Sequence, residues 1–136
     1  MAKLQEYKNI ISLLLPHSNV NDVDNLGQTA LMRAANWGHE EAVELLLSCD
    51  GTDVNACDQN ERTALFKAAS RGHAGCVERI LAVEGVEVNV ADDKGRTPLI
   101  RAASGEHSEV VRLLLSHPDI DANAKDEHGE TALMMA

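Results

Sequence analysis

The sequence predicts an all-α solenoid, in which short helix–turn–helix units with projecting hairpin-like turns stack side by side. The first observation is a repeat, because the frame that begins at Asp24 returns at Asp58, Asp92 and Asp126, at the same interval each time. The second is a helical pattern inside each copy, with apolar residues at spacing i, i+3 and i+4. Units of this length cannot bury a core alone and must pack on their neighbours.

The first 23 residues predict an outer helix without its inner partner, because apolar residues recur there at helical spacing as far as Leu15, before Pro16. We interpret residues 1–23 as a half-repeat that caps the array. The rest of the chain divides into full repeats at 24–57, 58–91 and 92–125 and a partial repeat at 126–136. All of these units belong to one domain that spans 1–136.

The turn that opens each unit is expected to need a left-handed residue. Glycine occupies this position in three repeats, whereas Glu61 occupies it in the second. A glutamate with positive φ is expected to lower the stability of the fold by up to about 1 kcal/mol. A threonine follows two residues later and is predicted to cap the inner helix through its hydroxyl. The four capping threonines are Thr29, Thr63, Thr97 and Thr131.

The corner after the inner helix is predicted to contain a left-handed glycine, Gly38 or Gly72. In the third repeat Gly105 comes one residue early, so we expect that corner to be distorted by about one residue. The second repeat carries Gly75 and Arg79 in its outer helix, and a helical glycine costs about 1 kcal/mol relative to alanine. We therefore predict that the second repeat is the least stable full unit.

The frame D-x-x-G-x-T-A/P-L, followed by A-A-x-x-G-H, L-L-L and V-N, resembles the ankyrin repeat. The resemblance covers residues 24–136 well and residues 1–23 partly. It implies an ankyrin-repeat solenoid whose turn tips and inner helices form a concave face that binds proteins. It also implies that Asn55 and Asn89, and less closely Asn123, resemble asparagines hydroxylated by an asparaginyl hydroxylase in animals. A structural role in the loop is the alternative for these asparagines.

The composition limits the classes of partner. A net charge of −10, from 22 acidic and 12 basic residues, argues against general nucleic-acid binding. The apolar runs are too short to cross a bilayer and no signal-peptide pattern is visible, so we expect no membrane partner and a cytoplasmic or nuclear location. Three cysteines without C-x-x-C spacing are typical of reduced thiols.

The repeated polar residues could suggest a metal or an active site, but their spacing argues otherwise. His39, His73 and His107 lie one helix-packing distance apart, roughly 8 to 10 Å, whereas zinc binds nitrogens at about 2.1 Å. Aspartates and asparagines that recur beside turns are expected to satisfy turn amides. We therefore expect no metal, no cofactor and no catalysis.

A basic column gives the candidate binding surface. Arg33, Lys67 and Arg101 occupy one position per repeat, on the predicted exposed face of the inner helix. These cations would either bind an acidic or phosphorylated segment or pair with nearby carboxylates, and Trp37 would be either an interface anchor or packed on a neighbouring turn. The candidate partner-binding residues are Arg33, Asn36, Trp37, Arg62, Lys67, Arg71, Arg96 and Arg101.

Two functions follow as hypotheses. The first is a non-enzymatic module that binds a protein or peptide, acidic or phosphorylated, through the turn tips and the concave face. The alternative is a scaffold, or an engineered or truncated array without a ligand of its own. The sequence stops at Ala136 within the fourth inner helix, so we also expect end-to-end self-association through an uncovered apolar face.

Overall fold

The computed structural model describes residues 2–136, except for the side chains of residues 2–4 and 7. In this part of the chain there are helices and turns but no strands. Helix α1 (Ala2–Leu14) runs into a short 3-10 turn (Leu15–His17). The inner helices are α2 (Ala30–Trp37), α4 (Ala64–Arg71), α6 (Pro98–Ser104) and α8 (Ala132–Met135). The outer helices are α3 (Glu40–Leu47), α5 (Ala74–Leu81) and α7 (Ser108–Leu115).

The helices form two layers. Inner helices α2, α4, α6 and α8 pack on one another in chain order, and outer helices α1, α3, α5 and α7 do the same. The core lies between the layers and includes Leu31, Leu65 and Leu99, each at most 3% exposed. Small residues such as Ala35 and Ala69 are fully buried and let neighbouring helices approach closely. The predicted all-α repeat solenoid is confirmed.

The predicted threonine caps are present in all four inner helices. The hydroxyl of Thr29 accepts a hydrogen bond from the Met32 N–H at 3.2 Å, and Thr63 accepts one from Phe66 at 3.1 Å. Thr97 and Thr131 cap α6 and α8 in the same way. Each bond satisfies an amide that the first helical turn leaves free, so the sequence position of the threonine fixes where each inner helix begins.

The corner of the third repeat differs from our expectation. Gly38 and Gly72 are left-handed, with φ of 74° and 77°, but in the third repeat the left-handed residue is Glu106 at φ 61°. Glu106 stands one full repeat after Gly72, in the same column, so the left-handed position does not shift, although α6 ends one residue earlier in its repeat than α4 does. The backbone keeps its register because the N–H of His107 still donates to the Ala102 carbonyl, at 2.9 Å.

Helix α1 packs against outer helix α3, as a terminal half-repeat should. Ile11 and Leu15 are partly buried against the core, whereas Leu14 is 57% exposed. Leu4 and Tyr7, which belong to the same run of apolar residues at helical spacing, lie outside the described side chains. Only part of the apolar face of the half-repeat therefore packs on α3.

In the second repeat, Gly75 lies beneath Glu40 of the preceding outer helix. A Cβ atom at residue 75 would lie 1.3 Å from the Glu40 Oε1 atom. Arg79 approaches the carboxylates of Glu40 and Glu44 at 3.9 and 3.7 Å. Gly75 therefore leaves room for a side chain of the preceding outer helix α3, and Arg79 pairs with that helix. The lower stability of the second repeat stays a prediction.

Candidate functional site

An aspartate builds the projecting turn that opens each repeat. Asp58 Oδ1 accepts hydrogen bonds from the N–H groups of Asn60 and Arg62, both at 2.9 Å. Asp92 does the same with Lys94 and Arg96, at 3.0 and 2.9 Å. Asp24 and Asp126 repeat the pattern. These carboxylates are turn-forming groups, as the spacing predicted.

The two middle aspartates are buried yet ionised. Burial raises the pKa of Asp58, but hydrogen bonds from the Arg62 backbone, the Lys67 ammonium and the Asn60 backbone more than offset this, so the net pKa lies below its ordinary value. For Asp92, burial also raises the pKa, and hydrogen bonds from the side chain and backbone of Arg96 again outweigh it. Each of these two repeats therefore carries a fixed negative charge just below the inner-helix face.

Lys67 is not on the exposed surface, and that part of the prediction is wrong. Its side chain is only 6% exposed, and its ammonium lies 3.0 Å from Asp58 Oδ2, in a carboxylate that is 1% exposed. Burial of the ammonium is tolerated because the carboxylate supplies a counter-charge within hydrogen-bond distance. Lys67 therefore forms an internal ion pair of the second repeat.

Arg62 and Arg96 sit at the turns, as predicted, and both pair within their own repeat. Arg62 Nε lies 3.0 Å from Asp58 Oδ2. Arg96 donates to Asp92 Oδ2 from two nitrogens, Nε at 2.9 Å and a terminal nitrogen at 2.8 Å. Their side chains keep 38% and 30% exposure, so each guanidinium still reaches the surface of the turn.

The first repeat presents the more open part of the surface. The Arg33 side chain is 62% exposed and lies 3.6 Å from Asp24 Oδ2, an ion pair of small energy because solvent reaches both groups. Trp37 is 66% exposed, so most of its ring is not packed on a neighbouring turn. Asn36 is half-buried beside it.

Arg71 and Arg101 both line a polar hollow between α2, α4 and α6. Among the described side chains, no carboxylate lies within 4 Å of either guanidinium. The Nε atom of Arg101 is buried and has no hydrogen-bond partner, and an unsatisfied buried donor costs on the order of 1–3 kcal/mol. The hollow, of about 300 Å³, is hereafter the basic hollow, and its walls are Asn36, Arg62, Phe66, Lys67, Ser70, Arg71 and Arg101.

Comparison with known proteins agrees with this architecture. The family model described as ankyrin repeats (3 copies) matches residues 1–58 and 50–126. The chain belongs to the ankyrin-repeat family. None of the curated proteins matches it. Ankyrin repeats are in general protein–protein interaction modules and are generally not enzymes.

In this ankyrin array, histidines join inner helices α2 and α4 to the repeat that follows each of them. His73 Nε2 lies 3.1 Å from the Asn36 carbonyl, and His107 Nε2 lies 3.2 Å from the Ser70 carbonyl. The same rings limit the corner glycines, because a Cβ atom at Gly72 would come within 2.5 Å of the His107 ring. His73 and His107 therefore bond to the backbone at the end of the preceding inner helix.

The asparagine column also joins neighbouring repeats. The Asn55 amide donates to the Gly85 carbonyl at 2.9 Å and accepts from the Glu87 N–H at 2.8 Å. Asn89 makes the equivalent pair with residues of the third repeat. Both ends of each amide are therefore used between repeats, and hydroxylation of Asn55 or Asn89 stays a prediction.

Two further searches concern only the described residues. No group of three or more His, Cys, Asp or Glu side chains in this part of the chain could hold a metal ion. None of the described helices is long and apolar enough to cross a membrane.

Reasoning from sequence missed two members of the basic hollow. Ser70 occupies the same column as Asn36, one repeat later, so the periodicity already contained the signal. Phe66 belongs to an apolar column and is 3% exposed, so its place in the hollow wall depends on the stacking of three helices and has no sequence signal of its own.

Proposed function

We propose that this ankyrin-repeat protein binds a partner protein or peptide through its turn tips and inner-helix face, and that the bound segment is acidic or phosphorylated. The observation that carries the proposal is the pair of guanidiniums, Arg71 and Arg101, without a nearby counter-charge among the described side chains, in a chain of net charge −10. Aligned cations without counter-charges attract anionic ligands and direct their approach.

Two other side chains support this surface. Arg33 is 62% exposed and its weak ion pair can open to meet a ligand. Trp37 is 66% exposed on the same helix, and aromatic side chains are common among the residues that dominate interface energy. Lys67 does not contribute directly, because its ammonium is committed to Asp58.

We also propose that the protein has no catalytic activity. The turn aspartates and two of the corner histidines are occupied in holding the backbone. Catalytic groups, by contrast, need a unique and convergent environment.

A matched pair of charge reversals tests the binding proposal. A partner is first isolated by cross-linking and purified, and its affinity is then measured for the parent protein, Arg71→Glu and Arg112→Glu. Both arginines are exposed, but Arg71 is on α4 and Arg112 is on outer helix α7, where it pairs with Glu109. We expect Arg71→Glu to weaken binding about tenfold or more, which corresponds to about 1.4 kcal/mol.

Arg112→Glu carries the same change in net charge and should leave the affinity within about twofold. Equal losses for the two variants would show that the partner senses only overall charge. No loss for either, with both proteins folded, would reject the inner-helix face as the binding surface.

A second contact surface is favoured by an apolar hollow of about 490 Å³ beside α6, α7 and α8. Leu133 is 85% exposed there and Leu115 is 49% exposed. We propose that this surface supports self-association, as in the scaffold alternative. Sedimentation velocity at low and high protein concentration should show association that Leu133→Asp abolishes, and a monomer at every concentration would reject it.

A further inference from the structure

The basic hollow has the size and the walls of an anion site. Its volume of about 300 Å³ is enough for a tetrahedral oxyanion. Four cationic side chains line it and none of its wall residues carries a carboxylate. It lies where three repeats meet, so its walls belong to helices held by the core.

The charges around the hollow are not balanced. Asp58 Oδ2 pairs with both Arg62 and Lys67 at 3.0 Å, so one carboxylate is shared by two of the cations that line the hollow. Arg71 and Arg101 remain without a carboxylate within 4 Å among the described side chains. Two positive charges therefore face the same small volume and repel each other unless an anion lies between them.

The hollow also holds donors that no described residue uses. Arg101 Nε has no acceptor but is itself covered by protein atoms, so a ligand in the hollow would contact the other nitrogens of this guanidinium. The side chains of Asn36 and Ser70 reach the wall, while their backbone carbonyls already bond to His73 and His107. A ligand with several acceptor oxygens would satisfy donors that the protein leaves open.

We infer that the basic hollow binds the phosphate group of a phosphorylated side chain in the partner segment, with Arg71 and Arg101 as its main contacts. The inference rests on the proposed function, because it names the group that the inner-helix face would recognise. A phosphorylated side chain carries a charge of about −1.5 to −2 at pH 7 and three acceptor oxygens. That charge matches two guanidiniums, whereas a carboxylate would leave one of them uncompensated.

The Nε–H resonances of the arginines give a direct test in the intact protein. The probes are phosphoserine and glutamate, both blocked at their termini, titrated at neutral pH and constant ionic strength. We expect phosphoserine to shift the Arg71 and Arg101 resonances saturably and to leave Arg112 in place. Blocked glutamate should give no saturable shift at the same concentrations.

Two substitutions with the same change in charge make the test specific. Arg101→Gln should weaken phosphoserine binding about tenfold or more, whereas Arg112→Gln, on outer helix α7, should leave it within about twofold. Because Arg101 is half-buried, circular dichroism must show that its variant is folded. Arg71→Gln alters an exposed residue and provides the second variant if the first does not fold.

Each result decides the inference. Equal saturable shifts with glutamate would overturn the selectivity for phosphate and leave an acidic partner in place. No shift with either probe, or equal losses for Arg112→Gln and Arg101→Gln, would overturn the site itself. A loss of partner affinity in Arg71→Glu, combined with failure of the phosphoserine test, would leave the proposed function standing and reject the phosphate inference alone. Saturable phosphoserine binding without that loss would reject the proposed function, and with it the assignment of the phosphate to a partner segment.

Discussion

The second and third repeats place a basic residue at the same position and use it differently. Lys67 is 6% exposed and pairs with Asp58, the turn aspartate of its own repeat. Arg101, in the same column of the next repeat, has no such pair with Asp92, because Arg96 occupies Asp92 Oδ2 with two of its nitrogens. In the second repeat Arg62 uses only one nitrogen, and the ammonium of Lys67 shares the oxygen.

This difference separates a stabilising role from a binding role within one column. In the second repeat the turn aspartate accepts the column lysine, which is drawn inward and contributes to the fold, whereas Arg33 of the first repeat stays 62% exposed at 3.6 Å from Asp24. Where an arginine of the turn already satisfies the aspartate, the column cation stays without a counter-charge and faces the basic hollow. A nearly repeated sequence therefore does not give a repeated electrostatic surface.

The largest expected effect is on stability, from removing the turn charge in the second repeat. Asp58→Asn keeps an oxygen that can accept the turn hydrogen bonds but leaves Lys67 buried without a counter-charge, so we expect a loss of about 3 kcal/mol in the free energy of unfolding. Asp92→Asn leaves Arg96, whose side chain is 30% exposed and can turn to solvent, so we expect about 1 kcal/mol.

Urea unfolding at neutral pH measures both variants. The parent protein gives the reference free energy and the slope with denaturant. Equal losses for Asp58→Asn and Asp92→Asn would contradict the distinction between the two repeats, because they would show that Lys67 depends on its carboxylate no more than Arg96 does.

Much of the fold followed from the sequence, because it depends on local rules that recur. The constant period located the helices, and each threonine located a helix start through one hydrogen bond to a residue three positions on. The left-handed residue of the third corner was mispredicted because the prediction relied on the neighbouring Gly105. The left-handed residue is Glu106, which stands one repeat after Gly72. In this case position in the repeat determined the backbone more strongly than residue type.

The candidate site was less predictable, since burial of a cation depends on how many donors share one carboxylate. Helical spacing placed Lys67, Arg71 and Arg101 on one face, and the structure brings all three to the same hollow. Spacing could not show that Asp58 would draw Lys67 inward or that Arg96 would leave Arg101 unpaired. Those outcomes depend on distances of about 3 Å between residues of different elements.

The pH dependence of stability sharpens the same comparison. The folded-state pKa of Asp58 lies below its ordinary value of 3.8, so its contribution is fully present above about pH 5 and is lost as pH falls through the folded pKa. The cost of Asp58→Asn should therefore shrink from about 3 kcal/mol at pH 7 as the pH falls through the folded-state pKa of Asp58, because the parent carboxyl then becomes neutral as well.

Urea unfolding of both proteins across this pH range provides the measurement. The parent should lose stability on acidification more steeply than Asp58→Asn. Parallel curves would show that the ionised Asp58 carboxylate does not contribute to stability, and Asp92→Asn provides the comparison from the third repeat, since the pKa of Asp92 is lowered too.

The smallest expected effects concern the left-handed glutamates, one in each of the two repeats. Glu61 has φ of 63° and Glu106 has φ of 61°, where a side chain with a Cβ atom costs about 1 kcal/mol or more. Replacing either by glycine relieves this strain and adds chain entropy to the unfolded state, so Glu61→Gly and Glu106→Gly should each stabilise the fold by roughly 0.5 to 1 kcal/mol. Glu127→Gly is the control, because that exposed residue does not have positive φ and should be neutral or destabilising. Thermal and urea unfolding measure the stability of all three variants. If all three are more stable than the parent, the gain comes from removing negative charge in an acidic chain, and the left-handed backbone is not its cause.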